Sequence, residues 1–349
     1  MLKEQLAKIQ PVSESWIAKA RTRLDNLTKP RGSLGFLEDL AARYVAIREK
    51  ERPAIRAKDV FVFVGDHDVV AEGVSAYPQE VTALMVRNFL AGGACINVLA
   101  RCAKAMVSIV DVGMIEDLPE APDLIRRNVA RGAQNIAAGP AMTLRQAETA
   151  IAVGIEMAER ASAGGSSIIA TGEMGIGNTT PSTALFAHLL PAGVEDLTGK
   201  GTGLDEQGLQ SKIRVVQRAL KINRDSLGDP LAALAALGGL EIAAICGLCL
   251  GGAANRLAVV VDGFISSAGA LVAMRLKPEV RDYLFFSHQS LERGHLIFFQ
   301  KEQIRPILDL DMRLGEGTGA VIGMQILEDA VRIYNEMATF QEVGIEPGA

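Results

Sequence analysis

A chain of 349 residues with 49% hydrophobic content is long enough for a large core, as one large domain with a smaller one or as two domains. Its formal net charge of -5, with no Lys/Arg cluster beyond short pairs such as Arg126 and Arg127, argues against nucleic-acid binding, which needs a basic face to neutralise phosphates. Four cysteines without dense spacing exclude a disulfide framework, and small-molecule chemistry is the class that remains.

The amino terminus is charged from Lys3 onward and lacks the apolar core of a signal peptide. The most apolar region, 231–261, is interrupted by Glu241 and Arg256, short of the roughly 18 uncharged residues of a membrane span. These features give the expectation of a soluble, cytoplasmic protein. Residues 1–50 carry helical spacing, broken by the turn Lys29-Pro30-Arg31-Gly32-Ser33-Leu34-Gly35.

From Asp59 the pattern changes. Val60 to Val64 is a continuous apolar run ending in Gly65-Asp66-His67-Asp68, as a buried parallel strand entering a loop would be. Similar runs follow at Met106–Gly113, Ser166–Gly172, Leu257–Gly263 and Tyr283–His288, and long helical patterns such as Pro78–Ala103 and Leu144–Ala163 lie between them. Alternation of this kind predicts an α/β fold, a mostly parallel Rossmann-like sheet flanked by helices. Ligands of such sheets bind at the carboxyl ends of the strands, which collects Asp66, His67, Asp68, Asp111, Glu173, Asp262, Ser287 and His288. The final helical stretch, 319–343, has no evident strand to cover and is expected to pack with the first fifty residues. The expected units are therefore an α/β unit over 54–302 and a small helical unit from 1–53 and 303–349.

Three segments are candidates for chemistry. Thr171-Gly172-Glu173-Met174-Gly175-Ile176-Gly177-Asn178-Thr179-Thr180-Pro181 is a glycine-rich turn from strand to helix, with Thr180 as expected N-cap and Pro181 as first helical residue. Its free backbone N–H groups and close approach favour a phosphate or phosphoribose site over a ligand-free turn. A second loop, Gly199-Lys200-Gly201-Thr202-Gly203, leads to Lys212, a cation for the same anion, but neither loop fits a P-loop or the dinucleotide fingerprint. In Arg313-Leu314-Gly315-Glu316-Gly317-Thr318-Gly319-Ala320, Glu316 sits between glycines before a long helix. Two readings stay open there: a carboxylate presented to a ligand, or a helix-start charge with Thr318 as cap.

Other motifs carry weaker signals. Tyr77 and Met85 are suited to line a flat apolar pocket or to sit in the core. Cys246 and Cys249 form a C-x-x-C in a small-residue helix, with packing favoured over metal or redox work because no further ligands complete a site. His67 reads equally as a histidine bonded within its loop or as a ligand contact. Asp66-x-Asp68 supports an alternative function, a magnesium-dependent haloacid-dehalogenase-like phosphohydrolase with Asp66 as nucleophile, although the later motifs of that family are not convincingly placed.

Read in order, Gly65-Asp66-His67, Glu72 to Pro78, Gly172 to Pro181, Val261-Asp262-Gly263-Phe264 and Arg313 to Ala320, with Lys29 to Gly35, Val129 to Gly132 and Gly139 to Met142, resemble the nicotinate-nucleotide:dimethylbenzimidazole phosphoribosyltransferase family over nearly the whole chain. The resemblance implies transfer of phosphoribose from nicotinate mononucleotide to a benzimidazole, releasing nicotinate and giving α-ribazole 5'-phosphate for the cobalamin lower ligand. It implies a homodimer with no metal and no cofactor. Glu316 matches the family's general base; Glu173, Gly175, Ile176, Asn178, Gly201, Gly203 and Lys212 match the phosphoribosyl site. Tyr77, Met85 and Leu314 fall at the base pocket, and Asp262 beside the developing charge. Asp68 departs from the family's glycine after Asp-His, which places base preference in question.

Overall fold

The computed structural model describes residues 2–201 and 203–345; Thr202 of the second glycine loop and 346–349 of the expected helical unit lie outside the described residues. The elements, in chain order, are α1 (Leu2–Lys8), α2 (Glu14–Asp25), α3 (Phe36–Arg48), β1 (Ala57–Gly65), α4 (Val81–Leu90), α5 (Cys95–Ala103), β2 (Met106–Gly113), β3 (Leu124–Arg126), α6 (Leu144–Ala163), β4 (Ser166–Met174) and α7 (Thr179–Leu189). They continue with α8 (Val194–Leu197), α9 (Glu206–Ile222), α10 (Pro230–Leu237), α11 (Leu240–Ala254), β5 (Ala258–Val261), α12 (Phe264–Leu276), β6 (Leu284–Phe286), β7 (His288–Gln289), α13 (Arg293–Glu302), β8 (Leu308–Asp309) and α14 (Thr318–Glu336).

The apolar runs become the centre of a six-stranded sheet in the order β3-β2-β1-β4-β5-β6, with every pairing parallel. Strands buried on both faces have no polar side to present, which is why Val60 to Val64 reads as an unbroken apolar stretch. Strand order reverses between β1 and β4, and the two glycine-bearing strand ends, Gly65 and Glu173 to Gly175, open together at that point. An α/β sheet gathers its ligands at this reversal.

One face is covered by α11 and α6. From Leu240 to Ala253 every residue of α11 is buried, and its Ala, Gly and Cys side chains let α6 come close. A methyl at Gly154 of α6 would overlap the Ala244 carbonyl, and one at Gly247 would overlap that of Ile151. Cys246 and Cys249 are fully buried in this helix and burial raises both thiol pKa values, so they pack as small apolar groups.

Several local expectations are corrected. Helix α7 starts at Thr179 with Asn178 in the cap position, so Thr180 is not the cap, and the Asn178 side chain turns to Glu173 instead. Helix α14 starts at Thr318 with Gly317 in the cap position; the Thr318 hydroxyl donates back to the Gly315 carbonyl at 2.7 Å. The run 283–288 is split. Its last residues leave the main sheet, and β7 pairs with β8 instead. The C-terminal helix does have strands to cover: α14 packs on β4 and β5 as well as on α3 and α5. The pattern 78–103 becomes two helices. Val81–Ala103 has the length and apolarity of a membrane span, but the chain turns at 91–94 and α4 and α5 pack on the sheet.

Because the α6–α11 contact depends on missing side chains, Gly247→Ala is expected to lower stability by about 1–3 kcal/mol through overpacking, seen as an earlier urea midpoint. A wild-type midpoint would show that the two helices tolerate separation.

Candidate functional site

A cavity of about 270 Å³ opens at the strand reversal. Its floor is the glycine turn after β4, with Glu173, Gly175, Ile176, Asn178 and Thr179; Gly201 closes one side and Gly263 and Phe264 another. Leu314 and Tyr77, each more than half exposed, stand at its mouth with Arg313 and Gly315. Thr82 of α4 fixes the turn by accepting the Ile176 amide at 3.1 Å. The positive first turn of α7 borders the cavity at Thr179, a suitable place for an anion.

Lys212 stands behind that turn. It is fully buried on α9 and its Nζ donates to Thr179 Oγ1 at 2.7 Å. Burial lowers its pKa to about 8, only partly opposed by Glu292. Met85 is half-buried against the core, and neither Met85, Gly203 nor Lys212 lines the cavity.

Carboxylates crowd the strand ends. Glu173 is 6% exposed and accepts from Asn178 Nδ2. Burial, then the negative charges of Asp262, Glu241 and Glu316, push its pKa up to about 8 against the Asn178 bond. This favours its protonated form, a hydrogen-bond donor, near neutral pH.

Glu316 is 3% exposed and sits at φ 63, between Gly315 at φ 87 and Gly317 at φ 93. Its side chain turns towards the start of α5, where Oε2 accepts from the Ile96 amide at 3.4 Å. It thus lies beside the cavity rather than among its lining residues. Burial raises its pKa and Asp262 adds to the rise, while the Ile96 amide opposes it. Asp262 is 1% exposed and also does not line the cavity. Its oxygens accept from the Gly317 and Ala320 amides at 3.1 and 2.9 Å.

The strand-end groups His67, Asp66, Asp68 and Asp111 lie outside the cavity lining. His67 Nε2 lies 2.7 Å from Glu241 Oε1, both buried, so its partner comes from α11 rather than from its own loop. Burial, the largest influence on His67, lowers its pKa, but Glu241 with Asp66 and Asp68 outweighs it and the net shift is upward. Asp66 accepts from the Ile115 amide at 2.8 Å and Asp111 from the amides of Gly113 and Met114. Asp68 opens a short 3-10 turn at 68–72, its amide on the Ala133 carbonyl. Neither Asp66 nor Asp68 lines the cavity.

His288, expected from its place at a strand end, lines the cavity, and two polar lining residues beside it, Ser290 and Glu292, carried no assignment from sequence. Glu292 Oε2 is buried with no hydrogen-bond partner, an acceptor left for a ligand. A short polar stretch between β7 and α13 has no periodicity to mark it; its position after a strand end was the only available signal.

A family model described as phosphoribosyltransferase (DBI_PRT) matches residues 9–345. The nicotinate-nucleotide–dimethylbenzimidazole phosphoribosyltransferase of Geobacter sp. strain M21 is 53% identical over 345 residues, covering 99% of each chain. That of Geobacter sulfurreducens is 53% identical over 348 residues, covering 100% of this chain and 99% of the relative. The crystal structure of CobT from Thermus thermophilus superposes with a TM-score of 0.91 at 47% identity, over 96% of this chain and 100% of that one. These relatives overturn the phosphohydrolase alternative built on Asp66, whose carboxyl holds a turn outside the cavity.

Glu173 binds its proton more tightly folded than unfolded. From its usual pKa near 4.5 up to about 8, the folded state therefore holds a proton the unfolded state has lost, and stability falls as pH rises. Glu173→Gln is expected to remove that contribution, so the melting temperature of the variant relative to wild type should climb between pH 5 and pH 8. A constant difference would mean that Glu173 does not titrate in this window.

Proposed function

We propose, for a chain that belongs to the nicotinate-nucleotide–dimethylbenzimidazole phosphoribosyltransferase family, that Glu316 is the general base and the cavity at the β1/β4 reversal is the phosphoribosyl site. The enzyme transfers phosphoribose from nicotinate mononucleotide to 5,6-dimethylbenzimidazole or a related base, giving α-ribazole 5'-phosphate and nicotinate for assembly of the cobalamin lower ligand. The observation that carries the residue assignment is the placement of Glu316 directly after the cavity-lining Arg313, Leu314 and Gly315. Burial raises its proton affinity towards the range useful for base catalysis near neutrality.

In this reading, Gly175, Ile176, Asn178 and Gly201 receive the phosphoribosyl group, with Lys212 supplying positive charge through the Thr179 turn and Gly203 shaping the loop. Tyr77, Leu314 and Met85 border the base. The C1'–nitrogen bond of the nucleotide breaks with its electron pair going to the pyridinium nitrogen, which releases neutral-ring nicotinate. The unprotonated azole nitrogen attacks C1' from the opposite face, inverting β to α, and Glu316 takes the proton from the other azole nitrogen. Holding both rings at one strand reversal supplies the orientation. Protonated Glu173 donates a hydrogen bond within the cavity.

Glu316→Gln is expected to bind nicotinate mononucleotide normally and to lose roughly 10²- to 10⁴-fold in kcat, followed as nicotinate release and α-riboside phosphate formation. Wild-type turnover would refute the assignment. We also read the chain as a cytoplasmic homodimer, with an α/β unit over 54–302 and a helical unit from 1–53 and 303–349. Packing of α2 on α3 and of α3 on α14 supports the helical unit. Sedimentation at assay concentration should give twice the chain mass, and a monomer would set the dimer aside.

A further inference from the structure

We propose that Asp262 is a positioning residue for Glu316: by accepting the backbone N–H groups of Gly317 and Ala320, it fixes the turn that aims the base. The inference rests on the reading of Glu316 as that base.

The turn needs an external hold. Gly315, Glu316 and Gly317 occupy three successive left-handed positions at φ 87, 63 and 93. For a non-glycine such as Glu316 that region is strained and persists only where surroundings impose it. From below, β4 supports the turn so closely that a methyl at Gly172 would meet the Glu316 carbonyl. From the side, the two Asp262 oxygens accept from the cap residue Gly317 and from Ala320 in the first turn of α14, at 3.1 and 2.9 Å. They do the capping work that no side chain of the helix itself performs.

Asp262 is itself held from several directions. Its amide donates to Thr171 Oγ1 at 3.0 Å, and its carbonyl accepts from the Ser287 hydroxyl at 3.2 Å. At 1% exposure and outside the cavity lining, it acts on the reaction through the turn.

Asp262 also bears on the charge of the base. The groups facing Glu316 are Asp262 just after β5, Glu173 from β4, and Cys95 with the Ile96 amide from α5; His288 from β7 faces Asp262 at 3.9 Å. Asp262 and burial both favour the protonated form of Glu316. Replacing Asp262 by a neutral isostere therefore leaves Glu316 ionised at lower pH.

The test compares Asp262→Asn, Thr171→Val and Glu316→Gln, measuring kcat, KM for nicotinate mononucleotide and the acid limb of the kcat–pH profile. Asp262→Asn should lower kcat by roughly 10- to 100-fold, the scale of a small misplacement of a reacting group. KM should stay within about threefold, as for loss of an interaction made in the transition state, and the acid limb should move to lower pH. Thr171→Val, which keeps the carboxylate but loosens its support, should show a smaller kcat loss with the limb unmoved, and decides the matter if Asp262→Asn does not fold. Wild-type kcat in both variants, or a loss confined to KM with an unmoved limb, while Glu316→Gln is inactive, would overturn the positioning role alone. Full activity of Glu316→Gln would instead remove the base assignment on which it rests.

Discussion

Crowding of buried negative charge at one end of the sheet is the constraint around which this molecule is arranged. Asp262, Glu241 and Glu316 all lie within electrostatic reach of Glu173, and the four are at most 6% exposed. Carboxylates so placed repel one another and have lost most of their water. Each is accommodated by a different device. Asp262 accepts backbone amides, Glu241 faces His67, Glu173 keeps its proton beside Asn178, and Glu316 is left with one long bond to the Ile96 amide. Glu316, whose bond is the longest of these at 3.4 Å, is the one proposed to accept a proton during the reaction.

Glycine makes the crowding geometrically possible. Side chains at Gly172, Gly315 or Gly317 would strike the Glu316 carbonyl, the Glu173 carboxyl or the Thr171 carbonyl. The β4 turn and the Glu316 turn therefore lie directly against each other, and the two carboxylates share one environment although 143 residues separate Glu173 and Glu316 in the chain.

Much of this was legible in the sequence, for identifiable reasons. Parallel strands buried on both faces are largely apolar, so β1, β4 and β5 stood out as runs, as did the partly buried β2. Strand β3, three residues at the sheet edge, and the β7–β8 pair were too short to leave a pattern. The glycine loop and Glu316 were visible because glycine in that density has few structural uses. What failed was whatever depended on tertiary partners. Thr180 and Thr318 looked like caps because local chemistry favours hydroxyls there, yet Asn178 was engaged by Glu173 and the start of α14 was served by Asp262. Glu241, which sequence showed only as a break in an apolar helix, is the partner of His67 across 174 residues.

The burial of Lys212 has a consequence for how the free and nucleotide-bound protein differ. An ammonium with a pKa of about 8 is only partly charged in mildly alkaline solution, and its one described bond is to a neutral hydroxyl. A phosphate dianion arriving at the Thr179 turn would favour the charged form, so the protein would take up a proton from solvent as the nucleotide enters. The site thus need not carry its full positive charge through the buried interior while it waits. In the proposed phosphoribosyl site, the substrate would complete the charge pair on arrival, and its grip on the phosphoryl end would become a function of pH separate from the titration of the proposed base.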